Sequence, residues 1–414
     1  MSFDDAIKEH REALKGAEQA GDMTAVFESC HQLGILHQKK GDYDTSLGFH
    51  HKALDIAGQR KDNKGIFKSY NQIGIIHERR GSYDIALTHF QQALDLSEKL
   101  GDSSGVSIGY QNIGIVHQKR GEYERALELC HKALEIKENT QDFYAILRIY
   151  GQIGLLHKLR GDYDRALDFS SKALALAEKI DDSAGLSKSY NQIGTIHQSR
   201  GAHDTALDFH QKALDIARDI GDVAEISECY HHIGIISQKK GDHEKALEFY
   251  ENALEIAEKI GDVVEIAKSY HQIGIIHQNR GEYDEALVFH QKALDIAKEI
   301  GDIAEESKSY HQIGIVYQNR SDYDRALEFY QKALAISKKV GDIEGVASSI
   351  GMIGKVKHLR KNYKDAFIDF LISLDIFEKL GSPNVDIVND LITELTKEMG
   401  EKEFRKLLEE MKPT

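Results

Sequence analysis

Proline, cysteine and tryptophan are scarce in this chain. Of its 414 residues two are proline, Pro383 and Pro413, and none is tryptophan, so the first 382 residues run without a proline. Because proline marks loops and interrupts helices, this stretch predicts an almost entirely helical fold. The three cysteines, Cys30, Cys130 and Cys229, are odd in number and far apart. They disfavour a secreted disulfide scaffold and favour a reducing, cytoplasmic location.

Long apolar runs are missing as well. No segment reaches the roughly 18 apolar residues that a membrane helix needs, and the charged N-terminus lacks the apolar core of a signal peptide. The formal net charge of −15 disfavours binding to nucleic acid or to an anionic membrane. Hydrophobic residues make up 41% of the chain and charged residues 29%, which argues against disorder and predicts a packed core under a solvated surface.

A repeat of 40 residues runs through nearly the whole sequence. Asp recurs every forty residues from Asp22 to Asp342, and Gly does so from Gly34 to Gly354, with no insertion or deletion. Solenoid arrays carry atypical terminal repeats that cap them. The period therefore predicts three parts: an N-terminal capping half-repeat helix over residues 1–20, nine tandem repeats over 21–380, and C-terminal capping helices over 381–414.

Each repeat predicts two amphipathic helices, since apolar and small residues recur at helical spacing over 263–279 and again over 283–300. The Asp that opens each repeat is a helix N-cap residue, and a basic residue closes the first helix in all nine repeats. A glycine inside a helix costs about 1 kcal/mol relative to alanine. The nine glycines therefore predict close packing against the small-residue column of the second helix, represented by Ala286.

These residues resemble the tetratricopeptide repeat family. Its signature is filled, in order, by Tyr270, Ile273–Gly274, His277, Gly281, Tyr283, Ala286 and Ala293–Leu294. The 40-residue period departs from the commoner 34-residue form and is similar to the variant found in Pins-type spindle-orientation adaptors and prokaryotic arrays. The resemblance implies an all-α fold, a right-handed superhelical solenoid of stacked antiparallel helix pairs, with the first helix of each pair lining the concave face.

Motifs that carry chemistry are missing. The sequence has no Gly-rich phosphate loop, no Gly-x-Ser-x-Gly, no Cys-x-x-Cys and no His-Glu-x-x-His. No two of its 21 histidines lie three or four residues apart, so no helix presents a paired metal site. We expect a protein that is not an enzyme and that holds no metal or cofactor. The column that includes His37 and His277 is expected to pack as half-polar core residues.

The concave face implied by the resemblance carries three kinds of candidate binding residue on the first helices: an aliphatic column, columns of amides and imidazoles, and recurring basic residues. The candidates are Lys68, Asn71, Gln72, Ile75, Gln111, Ile115, Arg148, Lys188, Asn191, Gln192, His231, Ile235, Lys268, His271, Gln272, Ile275, Gln278, Asn279, Lys308, His311, Gln312, Ile315, Gln318 and Asn319.

An apolar ribbon flanked by amides suits a peptide, whose backbone the amides satisfy and whose side chains the ribbon buries. Basic residues on this face favour an acidic ligand. The leading hypothesis is therefore a non-enzymatic protein–protein interaction scaffold that binds an acidic or amphipathic peptide. The other interpretation is that the aliphatic column packs between adjacent helices and the amides only solvate the groove.

A second functional class is a ligand- or peptide-sensing regulatory module whose superhelix changes pitch on binding and acts on a separate output protein. RNA binding along the basic residues is disfavoured by the acidic net charge. The fourth repeat departs from the others at its entry, with Phe143 and Tyr144, and at Gly151. It predicts either a local change of pitch or a specificity pocket. The partner, the pathway, the oligomeric state and any separate partner of the tail do not follow from the sequence.

Overall fold

The computed structural model describes residues 3–410, so residues 1, 2 and 411–414 lie outside the described residues, Pro413 among them. Over the described range the chain forms 21 α-helices and no strand, which confirms the all-α prediction. In chain order the helices are α1 (Phe3–Ala20), α2 (Met23–Lys39), α3 (Tyr43–Gln59), α4 (Asn63–Arg79), α5 (Tyr83–Leu100), α6 (Ser103–Lys119), α7 (Tyr123–Asn139), α8 (Phe143–Leu159), α9 (Tyr163–Lys179), α10 (Ser183–Ser199), α11 (His203–Ile220), α12 (Val223–Lys239), α13 (His243–Ile260), α14 (Val263–Asn279), α15 (Tyr283–Ile300), α16 (Ile303–Asn319), α17 (Tyr323–Val340), α18 (Ile343–Leu359), α19 (Tyr363–Leu380), α20 (Asn384–Met399) and α21 (Glu401–Glu410).

The helices belong to two compact units, one made of Met1–Ile276 with Asp295–Asp302 and the other of His277–Leu294 with Ile303–Thr414. Helices α1 to α13 of the first unit pack against one another in chain order, and so do helices α16 to α21 of the second. Several first helices also touch the first helix of the next repeat, as α4 touches α6 and α10 touches α12. Equivalent side chains of neighbouring repeats are thereby brought side by side on these helices.

The helix starts follow the aspartates that the repeat predicts. Asp62 Oδ1 accepts a hydrogen bond from the backbone N–H of Gly65 at 3.0 Å. Asp102 Oδ1 accepts one from the backbone N–H of Gly105 at 3.1 Å. Each carboxylate satisfies an N–H group that the first turn leaves without a helical partner. The expected N-caps are therefore confirmed at these positions. Second helices that end in glycine close in the left-handed conformation, as at Gly101, where φ is 67°.

The glycine column of the first helices lies directly beneath bulky side chains of the second helices. A methyl group added at Gly74 would lie 2.5 Å from Phe90 Cε1, and one added at Gly234 would lie 2.7 Å from Tyr250 Cε1. The sequence prediction named the small-residue column of Ala286 as the partner of these glycines. The structure shows that the residue four positions further on lies above them, as a ring at Gly74 and Gly234 and as the smaller Ser170 and Cys130 at Gly154 and Gly114.

A series of ion pairs joins consecutive repeats along the exposed edge of the array. In each, the basic residue that ends the first helix of one repeat contacts an acidic residue 36 positions earlier, at the start of the previous repeat's second helix. The pairs are Arg80–Asp44, Arg120–Asp84, Arg160–Glu124, Arg200–Asp164, Lys240–Asp204, Arg320–Asp284 and Arg360–Asp324. Their acidic partners are largely exposed, so each pair contributes only about 0–1 kcal/mol.

One buried contact in the first unit joins repeats that are far apart in sequence. Tyr43, Ile76 and Ile300 form an apolar cluster, against which Leu47, Val263, Val264 and Ile296 pack. It brings the first two repeats against the seventh. Solenoid repeats ordinarily contact only their neighbours, and the 40-residue period carries no sign of this contact.

The tail packs on the last repeat. Within the second unit, Val388 and Leu395 of α20 and Leu407 of α21 are buried together with Phe370 and Phe377 of α19. These helices cover apolar side chains that a tenth repeat would otherwise cover. No helix of the described chain combines the length and the apolar character that crossing a bilayer requires.

All three cysteines are fully buried, each 0% exposed. Burial disfavours the thiolate and raises the pKa of Cys130 to about 12. It also raises the pKa of Cys30 and of Cys229. These thiols are therefore protonated and unreactive at neutral pH.

The contact at Gly234 predicts opposite effects for alanine at two glycines. Gly234→Ala places a methyl group against the fully buried Tyr250 and should destabilise the chain by about 1–3 kcal/mol through overpacking. Gly48→Ala, on the exposed face of α3 with no atom within 4 Å, should stabilise it by about 1 kcal/mol. Urea midpoints from far-UV circular dichroism measure both effects. A raised midpoint for Gly234→Ala would contradict the packing described.

Candidate functional site

The aliphatic column of the first helices is half-buried. Ile75, Ile115, Ile235, Ile275 and Ile315 each retain an intermediate exposure. Ile75 packs against the buried cluster around Phe90, and Ile315 packs against the cluster around Tyr330. These two side chains thus join the core on one side and keep part of their surface open on the other.

Several amides of the ladder bond to a neighbouring repeat. Asn112 Nδ2 donates to Asn71 Oδ1 at 2.7 Å. Asn191 Nδ2 donates to Glu225 Oε1 at 3.1 Å, and Gln192 Nε2 donates to the backbone carbonyl of Gly151. The ladder therefore connects repeats as well as lining a surface.

The glutamines of the column that includes Gln238 and Gln318 accept a hydrogen bond wherever the second helix carries a tyrosine. Tyr330 Oη donates to Gln318 Oε1 at 3.1 Å, and Gln318 is only 8% exposed. Tyr250 Oη donates to Gln238 Oε1 at the same distance. Both amide oxygens are therefore engaged inside their own repeats.

Other ladder atoms are buried without any hydrogen-bond partner. In the first unit these atoms are Gln152 Nε2, Gln198 Oε1, His231 Nδ1 and His232 Nδ1, and in the second unit Gln278 Oε1 and Gln312 Oε1 are in the same state. Buried polar atoms are nearly always paired in folded proteins, because an unpaired one costs about 1–3 kcal/mol. These atoms lie beneath the surface, so a bound peptide reaches them only if their side chains turn outward.

Three glutamates modify the charge expected on this face, two of them buried (Glu225 and Glu305) and one half-buried (Glu265). Glu225, Glu265 and Glu305 occupy a column in which the other repeats carry glycine or alanine. Glu265 Oε2 lies 3.0 Å from Lys268 Nζ, and Glu305 Oε2 lies 3.2 Å from Lys308 Nζ. Two of the predicted basic residues are thus neutralised by neighbours one turn away. The signal was readable as three consecutive departures from glycine or alanine, but sequence reasoning overlooked it.

The positive charge of the face remains in repeats four and five. Arg148 and Lys188 are exposed. Within the part of the chain that the structure describes, no ion pair forms at either side chain. Lys158 lies half-buried near them in sequence, and burial lowers the pKa of its ammonium. These three residues form the basic patch.

A cavity of about 440 Å³ opens between α12 and α14 of the first unit. It is lined by Ala224, Ser227, Glu228, His231, His232, Ile260, Asp262, Glu265 and Lys268. Burial lowers the pKa of His231 to about 3, so its imidazole is neutral. The lining thus carries three carboxylates against one ammonium. The cavity is the acidic neighbour of the basic patch along the first helices.

A buried polar network lies behind the cavity. His210 Nδ1 is 2.6 Å from Asn191 Oδ1 and donates to it, since the amide nitrogen of Asn191 already donates to Glu225. The ring of His210 stacks on that of His232 at 4.9 Å between centroids. Burial lowers the pKa of His210 to about 2, which keeps it neutral. Burial, reinforced by the charge of Glu228, raises the pKa of Glu225 to about 7.

The histidine column of the first helices packs against aromatic rings, as expected for half-polar core residues. His37 stacks on Phe49 at 5.6 Å between centroids, and its Nδ1 lies 2.9 Å from the Asp42 carboxylate. His197 stacks on Phe209 at 5.5 Å. Among the described residues, no group of three or more histidine, cysteine, aspartate or glutamate side chains is placed to hold a metal ion.

Glu225 predicts a pH-dependent stability. Its folded pKa of about 7 exceeds the ordinary 4.5, so the folded state holds a proton that the unfolded state has released. This stabilisation is complete below about pH 4.5 and is lost as pH rises through 7, by up to about 3 kcal/mol. Glu225→Gln keeps the shape and cannot titrate. Its urea midpoint should therefore fall less than that of the wild type between pH 5 and pH 8.

The control for this measurement is Glu248→Gln, which changes an exposed carboxylate of α13. It should show the pH dependence of the wild type. If Glu225→Gln shows that same dependence, the buried carboxyl does not titrate as described.

The family model described as tetratricopeptide repeat matches residues 24–99, 65–139, 145–219, 225–299 and 305–381. No curated protein matches the chain in sequence. Solved structures that resemble its fold include a Rap protein complexed with competence and sporulation factor, at 15% identity and a TM-score of 0.55, covering 82% of this chain and 99% of that one. The Rap conjugation gene regulator of plasmid pLS20 in complex with the Phr* peptide resembles it at 16% identity and a TM-score of 0.55, covering 82% and 95%.

A third similar structure is the signal transduction ATPase with numerous domains from Pyrococcus horikoshii, which carries a tetratricopeptide repeat sensor. The identity is 18% and the TM-score 0.51, covering 84% of this chain and 55% of that one. At identities this low, the similarity shows only that the folds are alike. The family match, however, spans most of the 414 residues and follows the helix pairs described above. The chain therefore belongs to the tetratricopeptide repeat family, and it forms a solenoid of stacked helix pairs.

Proposed function

We propose that this chain is a non-enzymatic protein-interaction scaffold whose first helices hold a peptide segment of a protein partner. The observation that carries the proposal is the half-buried aliphatic column, which includes Ile75 and Ile315, beside half-buried amides such as Gln72 and Gln272 on the same helices. A peptide supplies backbone donors and acceptors for the amides and apolar side chains for the column, which a purely apolar ligand cannot do.

The basic patch determines the charge that we propose for the peptide. Arg148 and Lys188 are exposed and attract carboxylates. The half-buried aliphatic column, which includes Ile115 and Ile235, runs along the same helices and accepts apolar side chains. We therefore propose an acidic or amphipathic segment whose acidic residues lie over repeats four and five.

Two structural relatives support a peptide as the ligand. They are Rap proteins in complex with competence and sporulation factor and with the Phr* peptide. The likeness extends to the fold only, so the ligand of this chain rests on its own residues. The scaffold would act in a reducing cytoplasm, where its three buried cysteines stay as thiols.

A peptide-sensing module that acts on a separate output protein is the second candidate. The contact between Tyr43 and Ile300 favours it, because repeats that touch across a superhelical turn must separate if the pitch changes. Small-angle X-ray scattering with and without a bound peptide separates the two functions, since a rigid scaffold keeps its scattering profile.

Reversing the two exposed charges of the basic patch should weaken the binding of acidic peptides. The probe is a bead-displayed library of random 12-residue peptides, from which the immobilised chain should select sequences rich in aspartate and glutamate. Arg148→Glu with Lys188→Glu removes two attractions of about 1 kcal/mol each at about 4 Å in water. A selected peptide labelled with fluorescein should bind about 30-fold more weakly, measured by fluorescence anisotropy.

The matched control is Lys132→Glu with Lys212→Glu, which changes the net charge equally on the exposed faces of α7 and α11. Its affinity should equal that of the wild type. Equal losses in both variants would mean that net charge, and not the basic patch, drives binding.

A charge in the aliphatic column should weaken binding without unfolding the chain. Ile235→Asp places a carboxylate where we propose apolar side chains of the peptide, so affinity should fall by about tenfold or more, as expected for losing about 1.5–3 kcal/mol of apolar burial. Ile85→Asp, on the outer face of α5, changes a side chain that is 47% exposed and should have no effect. Unchanged affinity in Ile235→Asp at full helicity would remove the ribbon from the binding site.

A further inference from the structure

The contact between the first and seventh repeats is centred on a glycine. A methyl group added at Gly41 would lie 2.5 Å from Ile300 Cγ2 and 3.0 Å from Val263 Cγ2. Gly41 is in the turn between the two helices of the first repeat, whereas Val263 begins α14 and Ile300 ends α15. The contact therefore places the turn within the first repeat against the start of α14 and the end of α15.

The same positions in other repeats show what this contact changes. Ile300 is 5% exposed, whereas its equivalents Leu100 and Ile220 are 52% and 43% exposed. Val223, the equivalent of Val263, is 42% exposed. Apolar side chains at this edge face solvent where nothing covers them. Ile300 is buried because the first two repeats lie on it.

The opposite side of the contact shows the same change. Gly41 is buried, but Gly161, Gly201 and Gly241, which occupy the equivalent turn in later repeats, are exposed. Tyr43 is 2% exposed. Gly81, in the equivalent turn of the second repeat, is buried as well, so the buried turns belong to the first two repeats and not to these later ones.

Charged groups of both signs surround the apolar centre of the contact, and their electrostatic effects oppose one another. The Arg80 side chain packs beside Gly301, with Nε 3.3 Å from a methyl group added there. Glu78 faces Asp302 from the other element, and burial together with this like charge raises the pKa of Glu78, against the lowering effect of Arg79 and Lys119. A small apolar centre combined with two neighbouring carboxylates makes a contact that can part and close again.

The contact joins the first two repeats of the first unit to the seventh, and the basic patch lies on the repeats in between. We propose that the contact of Gly41 and Tyr43 with Val263 and Ile300 is a latch, which parts to admit a peptide to the first helices and closes behind it. This inference rests on the proposed function for its ligand. The existence of the latch is tested independently of any ligand.

The latch variant takes its residues from this chain's own repeats. Val263→Ser introduces the residue found at Ser103 and Ser183, and Ile300→Thr introduces that found at Thr140, so the substituted helices should fold. The control variant, Val223→Ser with Ile220→Thr, makes the same changes at equivalent positions of the sixth and the fifth repeat, where the side chains are 42% and 43% exposed.

Spin labels report whether the latch is closed. They are attached at Lys39→Cys and Glu299→Cys, both exposed positions beside the contact, while the three native cysteines are buried. Electron–electron double resonance should give one short distance in the starting protein and in the control variant. In the latch variant the distribution should shift to longer distances. If the latch variant and the control variant give the same distance distribution, the proposed latch is wrong.

The gating role is tested with the fluorescein-labelled peptide selected from the 12-residue library. A bismaleimide that joins the same two introduced cysteines should slow peptide association by about tenfold, within the range seen among variants of one interface. The latch variant should bind and release faster than the control variant. Protein treated with a monofunctional maleimide should behave as untreated protein.

Equal association rates in the joined, treated and untreated proteins overturn the gating role while leaving peptide binding intact, because binding is judged separately by its dependence on Arg148 and Lys188. If the library yields no peptide, the proposed function fails. The spin-label distances then still decide whether the contact exists.

Discussion

Each repeat depends on one close approach, in which a glycine of the first helix lies beneath a side chain of the second. At Gly74 and Gly234 the space that a methyl group would take is filled by Phe90 and Tyr250. This approach fixes how the two helices of a repeat cross, since a larger residue would push the ring away. With the crossing fixed in every repeat, the same columns of the first helices align from one repeat to the next. The ladder, the basic patch and the cavity all follow from that alignment.

Most of the fold could be predicted because its causes are local and recur. The Asp N-caps, the helix pairs and the repeat family each depend on residues close to one another in sequence, and the period repeats these residues nine times. The side chain that lies above each glycine was harder to predict. Its position on the second helix is filled by phenylalanine, tyrosine, histidine, serine or cysteine in different repeats. Pattern matching favours constant columns, such as that of Ala286, over variable ones.

Two features of the candidate site escaped prediction for different physical reasons. The glutamates at 225, 265 and 305 were visible, but whether they neutralise Lys268 and Lys308 depends on side-chain directions within a helical turn. The contact of Tyr43 with Ile300 depends on the small rotation between successive repeats, accumulated over six steps. No single repeat contains that information. The face that the sequence predicted to carry recurring basic residues is therefore basic at Arg148 and Lys188 and acidic at the neighbouring cavity.

The exposed ion pairs spaced 36 residues apart and the buried contacts inside each repeat respond differently to deformation. At the Arg80–Asp44 and Arg320–Asp284 joints the carboxylates are 82% and 81% exposed, so stretching such a pair exchanges it for water at little cost. The buried glycine contacts inside each repeat resist deformation, since packed side chains have few alternative positions. Consecutive repeats are also joined by buried apolar side chains, as Leu134 and Ile146 join α7 to α8. Dissolved salt, which screens exposed charges over about 8 Å, would therefore loosen the ion pairs and leave this buried packing in place.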